Sequence, residues 1–126
     1  MKDIIPVFIG GVIGTALRVG ADTVFSLLVP QAYLSIMWIN LLGSFMLGAL
    51  VAGLWTRAKT PSWIKNGIGT GVLGAFTTLS GVMMLTLTAG NPFMSMWIMA
   101  ISLLTSLFAA WFGLWLGGLT VRKRAR

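Results

Sequence analysis

The chain has 126 residues, 57% of them hydrophobic and 9% charged, with a formal net charge of +7. A soluble domain carries about 25% charged residues, so this composition, with a mean hydropathy of +0.94, points to an integral membrane protein. Histidine and cysteine are absent and the only carboxylates are Asp3 and Asp22, which removes thiol chemistry, most general acid–base schemes and most metal-ligand sets, so no enzyme is expected.

Met1-Lys2-Asp3 leads into an apolar run from Ile4 to Leu17 that meets Arg18 and Asp22 before continuing to Val29. A cleaved signal peptide fits poorly, because the small residues near Ala16 are followed by more apolar sequence. A first membrane helix is expected over 4–28, closed by a turn at Pro30-Gln31. The second span, 33–55, is uncharged, holds Asn40 and exceeds the ~20 residues that cross a bilayer; Trp38 and Trp55 suit interface positions. Arg57, Lys59, Pro61 and Lys65 form a short basic loop. From Asn66 to Val121 no residue is charged. At ~1.5 Å per residue that run is far too long for one crossing of a ~30 Å core. Ala89-Gly90-Asn91-Pro92 divides it into a third span, 63–88, and a fourth, 93–119. The basic tail Arg122-Lys123-Arg124-Ala125-Arg126 follows. Residues 1–126 are therefore expected to form a single four-helix transmembrane domain.

With four spans, both termini and the 2–3 loop share one side. Lys2, Arg57, Lys59, Lys65, Arg122, Lys123, Arg124 and Arg126 lie there, eight of the nine Lys and Arg. Short-loop Lys/Arg bias faces the cytoplasm, so both termini are expected inside. This placement makes the positive charge a topology signal and solvated tail, with contact to anionic headgroups as a second role; no nucleic-acid partner is expected.

Thr70-Gly71-Val72-Leu73-Gly74-Ala75-Phe76-Thr77-Thr78-Leu79-Ser80-Gly81 sits inside the third span, yet combines three glycines with four hydroxyls. Two readings stand: a tightly packed Gly/Thr helix, or a broken helix whose freed carbonyls and amides meet an ion. The other intramembrane polar groups are Arg18, which has a functional role or snorkels to the interface; Asn40, a pathway group or interhelical glue; and Ser102, Thr105 and Ser106, whose hydroxyls line a path or bond back to their own helix. No carboxylate lies in spans two to four, so a path lined by amides, hydroxyls and an arginine field suits a small anion. Small-xxx-small spacings at Gly10/Gly14, Ser44/Gly48, Gly67/Gly71 and Gly113/Gly117 suggest close helix approach within or between subunits and, together, favour an oligomer.

These motifs, in this order, resemble the small bacterial fluoride channels known as Fluc or CrcB. Gly10-Gly11-Val12-Ile13-Gly14-Thr15-Ala16-Leu17-Arg18 is similar to the family's first helix and Asn40-Leu41-Leu42-Gly43-Ser44-Phe45 to its second. Thr70 to Ser80 is similar to its signature third helix, and Ser106 falls where the fourth carries a serine. The resemblance implies an antiparallel, dual-topology-type dimer of all-α subunits in the bacterial inner or plasma membrane. It implies a broken third helix whose carbonyls, here those of Gly74 and Thr77, hold a structural Na⁺. It also implies passive fluoride export that lowers cytoplasmic fluoride, along Asn40, Thr78, Ser80 and Ser106 with Arg18 shaping the field.

The chain departs from the family's T-F-S-x-F-S pattern. Thr78 and Ser80 match, but Leu79 and Val82 occupy the two phenylalanine positions, Met83 follows in place of serine, and Ala110 replaces a later hydroxyl. Aromatic edges carry positive potential and aliphatic side chains do not. The 8:1 charge bias disfavours insertion in both orientations. Both features point to a heterodimer with an oppositely oriented paralogue. Two alternatives remain: a small multidrug-resistance-type exporter, disfavoured because the first helix lacks a glutamate, and a non-conducting structural subunit of a membrane complex.

Overall fold

The computed structural model describes residues 3–28, 31–53, 55–56, 60–88 and 90–124. Lys2, the expected turn at Pro30, Arg57 and Lys59 of the basic loop, Ala89 and Arg126 lie outside them. All regular structure among the described residues is helical. The helix α1 spans Ile4–Leu28 and α2 spans Ala32–Gly53. The third crossing is composite: α3 (Ser62–Asn66) runs into a π-helical stretch (Gly67–Leu73) and then α4 (Gly74–Phe76). After an interruption at Thr77-Thr78 it resumes as α5 (Leu79–Thr88). The last helix, α6, spans Pro92–Arg124. Four helical segments are long and apolar enough to cross a membrane. The protein is thus a multi-pass, all-α membrane protein with a broken third helix.

Most large apolar side chains face outward, as lipid permits: Phe8, Leu27, Phe93, Leu107 and Trp111 are all exposed. Few of the described side chains are buried: Ile39, Leu73, Phe76 and Val82 with the polar Ser35 and Asn40 on α2 and the third crossing, and Ser102 and Ala109 on α6. In lipid, association rests on close packing rather than on hydrophobic burial, so glycines matter where backbones touch. A Cβ on Gly10 would strike the Gly67 carbonyl, and one on Gly14 the Val72 carbonyl. The same holds for Gly48 against Ala110 and Gly113 against Phe45 on the α2–α6 seam. The glycines of these spacings are therefore used inside the subunit, α1 against the π-helical stretch and α2 against α6. By contrast, Gly11 meets nothing within 4 Å.

The π-helical stretch contains three glycines in seven residues, GIGTGVL. Glycine makes a regular helix expensive, and the wider π-turn lets Gly67 and Gly71 sit against Pro6, Val7 and Gly10. At the start of α1, Asp3 accepts hydrogen bonds from Ser62 Oγ at 3.3 Å and Asn66 Nδ2 at 3.1 Å. That carboxylate, distant in sequence, fixes the entry of the third crossing. Pro92 opens α6, with Asn91 Oδ1 accepting from the Phe93 N–H at 3.0 Å, an Asx cap. The helix α6 has 33 residues, about 50 Å, so its C-terminal end continues past a ~30 Å core.

Candidate functional site

The interruption at Thr77-Thr78 organises the site. Thr77 is extended, with φ −76° and ψ 151°, which stops α4 after Phe76. A break at membrane depth exposes backbone groups that each cost several kcal/mol in hydrocarbon. Asn40, buried on α2, covers one of them, the Thr78 N–H, and adds a bond to the Thr78 carbonyl. Its Nδ2 donates to the Thr78 carbonyl at 2.9 Å, and its Oδ1 accepts from the Thr78 N–H at 2.7 Å. A side-chain amide thus pairs with one residue's backbone as a neighbouring strand would. Three residues further on the same helix face, Gly43 leaves the room that Phe76 and Thr77 occupy; a Cβ there would lie 3.1 Å from Phe76 Cδ1. Asn40 and Gly43 therefore form a clamp and a notch for the break.

Thr78 also starts the next helix. Its Oγ1 accepts from the Gly81 N–H at 3.0 Å, the N3 position of α5, which is an N-cap. Ser80 Oγ lies 3.0 Å from the same hydroxyl. Two helical donors are consequently diverted. In an unbroken helix the Thr78 N–H would bond the Gly74 carbonyl and the Gly81 N–H the Thr77 carbonyl; here they bond Asn40 and Thr78 Oγ1. The Gly74 carbonyl keeps a contact at 3.5 Å from Thr77 Oγ1, whose closer partner is the Leu73 carbonyl at 3.1 Å. Gly74 is exposed on the subunit surface. Hard, neutral carbonyl oxygens released by a helix break suit a small monovalent cation. The residues expected to hold Na⁺ therefore fit that ion by donor chemistry. Among the described residues, no group of three or more acidic, histidine or cysteine side chains gathers as an alternative.

Arg18 comes to the same place from α1. A cleft of about 380 Å³ has Arg18, Asp22 and Thr23 on one side and Thr78, Ser80 and Ile39 on the other. The structure thus brings together Arg18, Thr78 and Ser80. Asn40 backs the cleft through Thr78, and one of its two amide N–H groups is used in the clamp. Ser106, half-buried on α6, does not line it. On the same helix, Thr105 bonds back to the Ile101 carbonyl at 2.7 Å. Leu79 and Val82, the positions without their aromatic rings, point to different surroundings: Leu79 is exposed and Val82 is in the buried core.

Sequence reasoning missed two contributors. Ser35, 1% exposed, donates to Asp22 Oδ1, tying α2 to α1 at the cleft. The visible signal was the four-residue spacing of Arg18 and Asp22, which puts them on one helix face. Gly43 is the other; its place three residues after Asn40 was present in the motif, but its function needs the third crossing beside it.

The sequence profile described as "CrcB-like protein, Camphor Resistance (CrcB)" matches residues 5–114. The chain belongs to the CrcB family. Among relatives of this CrcB chain, a protein of Halalkalibacterium halodurans named "Fluoride-specific ion channel FluC 2" is 33% identical over 129 residues, covering 100% of this chain and 93% of the relative. "Fluoride-specific ion channel FluC" of Renibacterium salmoninarum is 34% identical over 123 residues, 87% of this chain and 96% of the relative. "Fluoride-specific ion channel FluC 2" of Ligilactobacillus salivarius is 40% identical over 77 residues, 61% of this chain and 55% of that protein.

Proposed function

We propose that this chain is a subunit of a passive, fluoride-selective channel that exports fluoride from the bacterial cytoplasm. The observation that carries this reading is the break at Thr77-Thr78, which sets a capped hydroxyl pair, Thr78 and Ser80, opposite Arg18 in one cleft. Fluoride holds its water tightly, so a path must supply replacement donors. Thr78 and Ser80 offer hydroxyl hydrogens and Arg18 provides a favourable field in the cleft; Asn40, behind it, and Ser106, outside it, would add donors elsewhere along the path. The α5 N-terminus adds its partial positive charge. Membership of a family whose relatives are named fluoride-specific channels supports the choice of ion.

The carbonyls of Gly74 and Thr77 would hold a structural sodium ion between two subunits. Bound there, the ion supplies a positive charge that fixes released carbonyls at the centre of a pair. The exposure of Gly74 on the subunit surface supports this. The partner is an oppositely oriented paralogue, because the 8:1 basic bias favours one orientation with both termini in the cytoplasm and because Leu79 and Val82 offer no aromatic edge.

The test is a fluoride-electrode efflux assay in liposomes, with the chain reconstituted alone and with its co-expressed paralogue. Proton-independent fluoride efflux from the pair, and little from the chain alone, is the expected result. Full efflux from an antiparallel homodimer would overturn the heterodimer, and efflux from neither would overturn the channel.

A further inference from the structure

A carboxylate on an anion path calls for a physical explanation, and Asp22 is one. It lies one helical turn beyond Arg18 on α1, and both line the cleft that Thr78 and Ser80 face. Asp22 is held in place: Ser35 Oγ, on α2 and 1% exposed, donates a hydrogen bond to its Oδ1. A serine hydroxyl in a helix ordinarily bonds back to its own backbone, as the hydroxyls of Thr23 and Thr105 do here. Ser35 instead reaches across to another helix, where a charge-assisted bond is stronger than a neutral one. Such a bond leaves the second carboxylate oxygen available to the cleft. The positive field of Arg18 is therefore offset by a fixed negative charge one turn away.

We propose that Asp22 is a specificity-determining residue that weakens this subunit's own cleft for anions, by partly offsetting Arg18 at the approach to Thr78 and Ser80. The proposal rests on reading the cleft as an ion path, and it supplies an electrostatic reason why the path in this subunit would be the weaker of two. Asp22→Asn keeps the acceptor for Ser35 while removing the charge. Asp22→Glu keeps the charge.

The chain contains no cysteine, so a single Ser80→Cys variant, co-expressed with the paralogue and reconstituted in liposomes, reports the potential in the cleft. The measurement is the ratio of its reaction rates with a negatively and a positively charged methanethiosulfonate reagent of similar size. Asp22→Asn in this background is expected to raise the anionic-to-cationic ratio about tenfold, as removal of one unit charge at close range requires. Asp22→Glu is expected to leave the ratio near that of the parent. A ratio within twofold of the parent for Asp22→Asn would overturn the proposal. So would equal changes in both variants, which would mark a structural effect, or a Ser80→Cys thiol that reacts with neither reagent, which would mark a cleft closed to ions. This readout uses no fluoride. A shifted ratio without fluoride efflux would therefore sink the channel reading alone, and normal efflux with an unshifted ratio would sink the role of Asp22 alone.

Discussion

Two halves of this subunit use the same small residues to different ends. The helices α2 and α6 meet along Gly48, Gly113 and Gly117, where added Cβ atoms would strike Ala110, Phe45 and Ala49. Both helices stay regular, and aromatic rings extend the seam, with Phe45 and Phe112 centroids 6.1 Å apart. On the other side, α1 meets the third crossing along Gly10, Gly14, Gly67 and Gly71, equally closely. There the backbone becomes π-helical and then breaks. Glycine permits both outcomes, so glycine does not select between them. The difference is what meets the freed backbone groups. Next to the break stands Asn40, whose amide pairs with Thr78. Along the α2–α6 seam, hydroxyls such as that of Thr105 bond back within their own helix. A break survives in lipid only where such a substitute partner exists.

This contrast is open to test by substitution. Removing the clamp has the largest expected effect. Asn40→Ala strands the part-buried N–H of Thr78 and takes one partner from its carbonyl, a loss of about 1–3 kcal/mol. Thermal unfolding of the purified complex in detergent measures it. Asn40→Asp retains the acceptor for the Thr78 N–H, puts a carboxylate behind the cleft, and is expected to suppress efflux more than stability. Unchanged efflux in Asn40→Asp would detach Asn40 from the path.

The glycines divide the two halves more finely. Gly14→Ala and Gly48→Ala both force backbones apart, each at about 1–3 kcal/mol. Because Gly14 abuts Val72 in the π-helical stretch, Gly14→Ala is expected to lower efflux and stability together. Gly48→Ala lowers stability and keeps efflux per folded complex. Equal efflux losses would mean the halves are not functionally distinct.

Replacing Na⁺ by a large organic cation is expected to lower the unfolding temperature of the wild-type pair, since a ligand bound only by the native state stabilises it by mass action. No shift would argue against Gly74 and Thr77 as cation ligands. Thr78→Ala removes the α5 cap, at about 1 kcal/mol, and Thr78→Ser restores it. The smallest effect belongs to the regular half: Thr105→Ala is expected to cost under about 0.5 kcal/mol, because its hydroxyl bonds only locally. A larger loss would give the α2–α6 half a polar role it lacks here.

Much of this was legible in the chain. Apolar runs separated by Pro and Gly specify four crossings, because lipid demands helices of bilayer length. Arg18, Asn40, Thr78 and Ser80 stood out as polar groups inside apolar runs, where each had a structural reading beside a functional one. The Gly/Thr stretch from Thr70 to Gly81 marked a place where a helix is weak, but weakness is not a break. Whether it breaks, and where, depends on a residue thirty-eight positions earlier reaching Thr78. The glycine spacings announced close contact but not with which helix, and the fold uses them within the subunit. The pairing of Ser35 with Asp22 was invisible, because nothing local ties a serine at the start of α2 to a carboxylate on α1.

The sequence by itself determined the medium, the number of crossings and which polar groups lie within them, since hydropathy and charge act locally along a chain. The tertiary structure alone decided which backbone groups lose their helical partners and which side chains share the cleft. Those outcomes depend on the approach of separate helices to within hydrogen-bond distance, about 3 Å.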